Sequence, residues 1–306
     1  MSAVDLTVSI GRLELENPVM VASGTFGYGS EYAGLVDVDA LGAVVTKGIS
    51  LAPTDGNPAP RTVETPSGML NAIGLQNPGL DVFVKEKMPF LRKLRARTIV
   101  NFFGSTVEDY AELAGRLDKV DGVDALEVNI SCPNIQAGGL TFGSDPETAA
   151  RVAAEVRGRT EKPLLVKLSP NVTDIVAIAR AVAETGVDGL TLINTLRGMA
   201  VDPVSGKALL GNVIGGLSGP AIRPVAVRAV YEVAQALDIP VVGCGGIVEW
   251  PDAVEFLRAG ACALQVGSAT FRNPAAALEV LRGLEAFIKK AGHRKVGELV
   301  STVKAQ

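Results

Sequence analysis

Short apolar runs alternate with amphipathic stretches along the whole chain. The apolar runs carry hydrophobic residues almost continuously, as strands buried on both faces of a sheet do. We predict about eight such strands, near Val19–Ala22, Ala43–Thr46, Thr98–Phe102, Ala125–Asn129, Leu164–Lys167, Gly189–Ile193, Pro240–Gly243 and Ala263–Val266. Strands of this kind that alternate with helices predict an α/β fold, a closed (β/α)8 TIM barrel.

Helical patterns fill the segments between these strands. One helix is predicted after Thr106, with Glu108 and Asp109 in its first turn. The others are Asp145–Gly158, Asp174–Thr185, Pro220–Leu237 and Trp250–Ala259. No linker or break in composition interrupts the pattern, so residues 1–306 are interpreted as one domain.

The ends of the predicted barrel differ. Before the first strand, Leu6–Ile10 and Leu13–Glu16 flank Gly11-Arg12 and predict a hairpin that closes the bottom. At the opposite end, the long connections Gly48–Asp81, Ser131–Asp145 and Leu196–Gly219 follow strands two, four and six. Long loops in a compact domain are usually functional, and barrel enzymes build their sites at this C-terminal rim.

Composition excludes several classes of function. The net charge is −4 and the basic residues are scattered, so a nucleic-acid partner is not expected. The N-terminus shows no export signal and no long apolar run occurs, which predicts a protein without a membrane anchor. Three widely spaced cysteines favour a reducing compartment, the cytoplasm, and are too few for an iron–sulfur cluster. A single histidine, His293, and no metal-spaced cluster argue against histidine or metal catalysis.

Polar residues stand at the ends of several predicted strands. A lysine at one strand end is most simply a surface residue with its ammonium group in water. Because strand ends of a barrel converge, however, the set as a whole predicts a polar pocket. Its members are Lys47, Asn101, Asn129, Lys167, Asn194 and Thr195.

The sequence Asn129-Ile130-Ser131-Cys132-Pro133-Asn134 places a thiol between carboxamides where the fourth strand ends. A thiolate there could act as a base. The alternative is that Cys132 packs as a small hydrophobic residue, as many free cysteines do.

Glycine-rich turns follow the last two predicted strands. Gly245-Gly246 and Gly267-Ser268 lie where barrels commonly bind a phosphate group through backbone N–H donors. The alternative is that these glycines only make tight turns. Val248 stands where a G-x-G-x-x-G motif needs its last glycine, so a dinucleotide-binding Rossmann unit is not predicted.

These motifs together resemble the dihydroorotate dehydrogenases, and among them the class 1B catalytic subunits. The resemblance covers nearly the whole chain. Its strongest parts are Asn17-Pro18 to Gly27, Thr46-Lys47-Gly48, Asn71 to Asn77, Asn129 to Asn134, Gly245-Gly246-Ile247 and Gly267-Ser268. The segment Ile135–Pro146 is similar to the class 1B version of that loop.

The resemblance implies an FMN cofactor and a set of contact residues. The FMN phosphate would bind Gly245, Gly246, Gly267 and Ser268. The flavin ring would lie near Ser23, Lys47, Gly48, Asn101, Asn129, Lys167, Ile193 and Gly219. Dihydroorotate would bind Lys47, Asn71, Ala72, Ile73, Gly74, Leu75, Asn129, Asn194 and Thr195.

The resemblance also implies the chemistry and the partners. Cys132 would remove the C5 proton of dihydroorotate while a hydride passes from C6 to FMN N5, giving orotate for pyrimidine biosynthesis. Lys167 would stabilise the negative charge that forms on the flavin. NAD⁺ would be the final acceptor, reached through an electron-transfer subunit that carries FAD and a 2Fe–2S cluster. The expected assembly is a homodimer of this chain flanked by two such subunits, a heterotetramer.

Three other interpretations stay open. A class 1A enzyme would use fumarate at the same site, and a dihydropyrimidine dehydrogenase module would use a similar barrel, FMN and cysteine. A non-catalytic barrel that binds a phosphorylated ligand is the alternative from another class. It is disfavoured because such a module needs no thiol beside two lysines at the rim.

Overall fold

Eight parallel strands form a closed barrel in the computed structural model, which describes residues 4–131, 133–134 and 140–304. The strands follow one another around the barrel in chain order, and the last pairs with the first. Their bounds are Val19–Val21, Ala43–Val45, Arg97–Phe102, Ala125–Asn129, Leu164–Leu168, Gly189–Leu192, Val241–Cys244 and Ala263–Val266. The predicted TIM barrel is confirmed; two strands match the prediction at both ends, and no boundary of the others differs by more than one residue.

Longer helices surround the barrel and bury one face against it. They are Val107–Asp118, Pro146–Arg157, Ile175–Ala183, Arg223–Ala236, Trp250–Ala259 and Ala276–Lys290. Side chains of Thr106, Asp145 and Asp174 cap the first three by accepting backbone N–H bonds. The segment predicted as one helix from Pro220 to Leu237 begins instead with the 3-10 turn Pro220–Ile222. The last helix was not predicted.

Shorter helical segments complete the described elements. They are Val38–Ala40, Leu80–Val82, Phe83–Lys87, Met88–Leu91, Phe142–Ser144, Ala269–Arg272 and Val296–Leu299. Across the described part of the chain, no helix combines the length and apolar character that crossing a bilayer requires.

The bottom of the barrel is closed by the predicted hairpin. Val8–Ile10 and Leu13–Leu15 pair antiparallel around Gly11, whose φ of +55° favours glycine. Ile10, Leu13 and Leu15 are buried in one cluster with inward-facing barrel residues such as Leu165. The hairpin therefore seals an apolar lower interior.

The long rim connections form a sheet that the sequence did not predict. Two strands come from the connection after the second barrel strand and two from the connection after the sixth. In spatial order they are Leu196–Met199, Ile214–Ser218, Gly68–Asn71 and Thr62–Thr65, all antiparallel. A two-stranded pair, Pro133–Asn134 with Leu140–Thr141, lies in the connection after the fourth barrel strand.

Candidate active site

A cavity of about 440 Å³ lies at the C-terminal rim of the barrel. Its volume falls within the roughly 300–1,000 Å³ typical of small-molecule sites. Barrel strand ends line one side, and Thr62, Met69 and Ser218 of the rim sheet line another. Twelve predicted site residues line it: Ser23, Lys47, Gly48, Asn71, Ala72, Ile73, Gly74, Leu75, Asn101, Asn129, Asn194 and Thr195.

The other predicted site residues lie elsewhere. Lys167 and Ile193 are buried, 5% and 1% exposed, and do not line this cavity. The predicted phosphate residues follow the seventh and eighth barrel strands, and Gly219 follows the rim strand Ile214–Ser218. The predicted base, Cys132, lies outside the described residues.

The backbone turn after the seventh strand requires glycine. Gly245 and Gly246 have φ values of +131° and +77°, and Gly219 beside them has +94°. A Cβ at Gly246 would lie 2.7 Å from Arg223 Cβ and 2.8 Å from the Gly219 carbonyl oxygen. Gly267 differs, because a Cβ there would meet Ala22 at an ordinary 3.5 Å. The close backbone approach is therefore built by Gly219, Gly245 and Gly246.

A carboxylate stands at the centre of the upper barrel interior. Glu127 is completely buried on the fourth strand, and its neighbours Leu126 and Val128 face the helices. Its Oε1 accepts a bond from Asn101 Nδ2 at 2.8 Å. Its Oε2 accepts from Thr191 Oγ1 at 2.8 Å and from Gln265 Nε2 at 2.6 Å. Burial of this charge is thus compensated by three hydrogen bonds.

Lys167 completes this polar layer. Its ammonium group donates to Gln265 Oε1 at 3.1 Å and lies beside the Cys244 sulfur. Burial acts to lower the pKa of Lys167, but the nearby Cys244 sulfur and Glu127 carboxylate outweigh it and raise the pKa. Burial raises the pKa of the Cys244 thiol despite the neighbouring Lys167. At neutral pH the layer therefore holds the charged ammonium of Lys167 beside the neutral thiol of Cys244.

Amide groups at the rim hold one another in place. Asn194 Nδ2 donates to Asn129 Oδ1 at 3.2 Å and to Ser131 Oγ at 3.0 Å. Asn129 Oδ1 also accepts from the Ser131 backbone N–H at 3.1 Å. Asn71 Nδ2 donates to the Gly216 carbonyl oxygen at 3.2 Å, which ties the rim sheet together. The cavity is therefore lined by oriented polar groups on the barrel and on the rim sheet.

Lys47 is the ammonium group that lines the cavity. It is partly buried, and burial together with the nearby Arg61 charge lowers its pKa, while Glu31 acts in the opposite direction. A partly desolvated cation of this kind can bind a carboxylate more strongly than a fully solvated one.

Sequence reasoning missed four residues of the polar layer: Glu127, Thr191, Cys244 and Gln265. Glu127 was included in an apolar strand, and Gln265 lies within Leu264–Val266. The available signal was a lone charged or amide residue inside a strand predicted to be buried on both faces. Such a residue must find buried partners, which places it among other polar groups.

Known proteins resemble this chain over nearly its whole length. The sequence model of the family described as dihydroorotate dehydrogenase matches residues 5–288. A protein of Pelobacter propionicus is 57% identical over 98% of this chain and 98% of its own length. One of Geotalea daltonii is 54% identical over 99% of this chain and all of its own length. Both are named dihydroorotate dehydrogenase B (NAD(+)), catalytic subunit.

A solved structure supports the fold. The crystal structure of DHODH from Eimeria tenella in complex with ferulenol superposes with a TM-score of 0.80 and 24% sequence identity. The match covers 97% of this chain and 88% of that one. Family match, sequence identity and barrel agree, and the chain belongs to the dihydroorotate dehydrogenase family.

Proposed function

We propose that this chain is the catalytic subunit of an NAD⁺-dependent dihydroorotate dehydrogenase of class 1B. It oxidises dihydroorotate to orotate in pyrimidine biosynthesis. The observation that carries the proposal is the rim cavity, where Lys47 and several oriented carboxamides converge above a buried ammonium–carboxylate layer. The names of the relatives from Pelobacter propionicus and Geotalea daltonii agree with it.

The residues present fit an FMN cofactor. Asn101 Oδ1 is buried without a hydrogen-bond partner, so it is available to accept a bond from a ligand N–H group. The close approach at Gly245 and Gly246 suits a phosphate group bound by backbone donors. Gly267 and Ser268 would complete the phosphate site. Ser23, Lys47, Gly48, Asn101, Asn129, Lys167, Ile193 and Gly219 would contact the ring.

Bound FMN supplies the acceptor for the hydride that leaves C6 of dihydroorotate. The chain's part is electrostatic: the Lys167 ammonium is fixed before the reaction and lies in a region from which water is excluded. A fixed positive charge there stabilises negative charge that develops nearby without reorganisation.

Dihydroorotate carries a carboxylate and a ring with both N–H donors and carbonyl acceptors. Lys47 would bind the carboxylate. Asn129 and Asn194 can donate and accept at once, as the ring requires, and both line the cavity. The wall from Asn71 to Leu75, with Thr195, would complete the pocket.

Cys132 is the proposed base that removes the C5 proton. Cys132 lies outside the described residues. The support for its role as base comes from its neighbours in the sequence. Ser131, directly before it, lines the cavity and accepts a hydrogen bond from Asn194. An ordinary thiol is only a few per cent ionised at neutral pH. The rate of dihydroorotate oxidation should therefore increase with pH.

Electrons would leave through a partner. The catalytic-subunit naming of the relatives suggests a separate electron-transfer subunit, which we propose carries FAD and a 2Fe–2S cluster. Two such subunits would flank a homodimer of this chain. A cytoplasmic location fits the widely spaced cysteines.

Acceptor choice tests this proposal. The chain is purified with and without co-expression of the proposed electron-transfer subunit, and dihydroorotate oxidation is measured with NAD⁺ and with fumarate. We expect NAD⁺ reduction by the complex and none by the chain alone. Fumarate reduction by the chain alone would indicate class 1A, and faster turnover of dihydrouracil would indicate a dihydropyrimidine dehydrogenase module.

A further inference from the structure

Glu127 is a buried carboxylate in the upper barrel interior, and the proposed reaction does not use it directly. It is completely buried, and the three side chains that contact its oxygens all donate to it. A group that receives three donors is in the environment of an ionised carboxylate, which can only accept hydrogen bonds.

This property fixes the orientation of Asn101. Because the carboxylate only accepts, the Asn101 Nδ2 group must face Glu127, and its Oδ1 must face away. That oxygen is buried and has no partner, and a Cβ at Gly48 would lie only 2.9 Å from it. Asn101 and Gly48 both line the cavity. Asn101 Oδ1 therefore presents a hydrogen-bond acceptor to the cavity.

The same property fixes Gln265. Its Nε2 must face Glu127, so its Oε1 faces Lys167 and accepts from the ammonium group at 3.1 Å. If the amide were reversed, its NH2 group would face the ammonium, and two donors would oppose each other. One carboxylate thus determines the polarity of both amides.

We propose that Glu127 is a positioning residue that orients Asn101 and Gln265, and through them presents an acceptor to the flavin and anchors the ammonium of Lys167. The inference rests on the proposed function for the identity of the cofactor. Glu127 itself touches neither cofactor nor substrate in this account.

The variant Glu127→Gln keeps the shape of the side chain and makes one of its ends a donor. If the new NH2 faces Asn101, that amide must reverse and presents a donor to the cavity. If it faces Gln265, that amide must reverse and opposes Lys167. The first arrangement removes the acceptor that faces the flavin, and the second loses the bond between Lys167 and Gln265. In either case we expect FMN affinity to fall by about tenfold or more.

The matched control exchanges the two groups, Glu127→Gln with Gln265→Glu. The amide introduced at position 127 can then accept from Asn101 and donate to the new carboxylate, which accepts directly from Lys167. The total charge and the side-chain volumes are unchanged, and the acceptor facing the cavity is retained. We expect FMN affinity to return to within about threefold of the native value, because no donor opposes another.

FMN binding to the apo forms of the three full-length chains is measured by quenching of flavin fluorescence. Neutron diffraction of ligand-free crystals reads the amide orientations through their deuterons. A weakened single variant with a restored double variant supports the proposal. Native affinity in the single variant, or a double variant as weak as the single, overturns it.

Two further outcomes are decided in the same way. If Glu127→Gln does not fold, a double variant that folds and binds FMN supports the proposal, and one that does neither overturns it. If the native chain binds no FMN, the proposed function fails. The neutron map then decides the inference alone, and an amide oxygen of Asn101 or Gln265 facing Glu127 contradicts it.

Discussion

The lower and upper halves of the barrel interior are built from the same strands and have opposite chemistry. Inward-facing residues recur every second position along a strand. On six of the eight strands, a lower apolar residue is followed by an upper polar one: Val45 and Lys47, Ile99 and Asn101, Ala125 and Glu127, Leu165 and Lys167, Val242 and Cys244, and Ala263 and Gln265. Over about 7 Å along a strand, the interior changes from apolar to polar.

This difference separates stability from function. The lower half removes apolar surface from water, which stabilises the fold. The upper half buries an ammonium and a carboxylate, an arrangement that apolar residues of similar size often match or exceed in stability. Because the polar layer has no clear stabilising advantage, its presence is best explained by the chemistry at the rim above it.

The largest expected effect comes from the rim itself. Cys132→Ala should bind FMN and unfold like the native chain, yet lose about 10²- to 10⁴-fold in turnover, the usual contribution of a positioned base. The native rate should rise from about pH 6 to about pH 9, because only the thiolate removes the proton. Steady-state rates across pH check both statements. A flat profile with a fully active variant would contradict this role for Cys132.

Removal of the Lys167 cation should leave the buried Glu127 charge uncompensated, although the two groups are joined only through Gln265. Lys167→Met leaves Glu127 without a counter-charge, so we expect a loss of about 3–5 kcal/mol in unfolding free energy. Adding Glu127→Gln should recover most of that stability, since it removes the uncompensated charge. Urea unfolding of the apo proteins measures both, and a double variant as unstable as the single would contradict the pairing.

The residue below Lys167 on the same strand gives the opposite result. Leu165→Ala should cost about 2–5 kcal/mol through lost burial and a cavity. Turnover per folded molecule should stay within about twofold, because this residue lies two positions from the polar layer. Urea unfolding and active-site-normalised rates make the comparison. If Leu165→Ala lost most of its turnover but none of its stability, the assignment of the lower half to stability and the upper half to function would be contradicted.

The smallest effect is expected at Lys47. Lys47→Met should raise KM for dihydroorotate by about 10- to 100-fold through loss of a charged hydrogen bond, with little change in stability. Its ammonium charge is present at low pH and is lost as pH rises through its pKa, which burial lowers. The alkaline fall of kcat/KM should therefore begin below the pH of an ordinary lysine and disappear in the variant. If kcat/KM of Lys47→Met fell equally at alkaline pH, the fall would be due to the titration of another group.

The sequence predicted the barrel well because its signal is local. Continuous apolar runs located every barrel strand to within one residue at each end, and the pair Leu6–Ile10 and Leu13–Glu16 located the bottom hairpin. The rim sheet could not be found this way. Its strand Gly68–Asn71 pairs with Ile214–Ser218, far away in the chain, and glycines weaken the strand pattern in both.

The candidate site was predicted in part for a similar reason. Residues at strand ends, such as Lys47 and Asn194, are conspicuous because polar side chains follow apolar runs. Glu127 and Gln265 lie inside such runs, and only the closed barrel brings them together. Their partnership depends on packing across the barrel, which no local pattern in the sequence encodes.

Anaerobic titration of the purified chain with dihydroorotate tests the account most directly. We predict a yellow protein whose visible flavin absorbance bleaches as dihydroorotate is added, with one orotate formed for each flavin reduced. A colourless protein that takes up no FMN, or a yellow one that dihydroorotate leaves unchanged, would contradict the account.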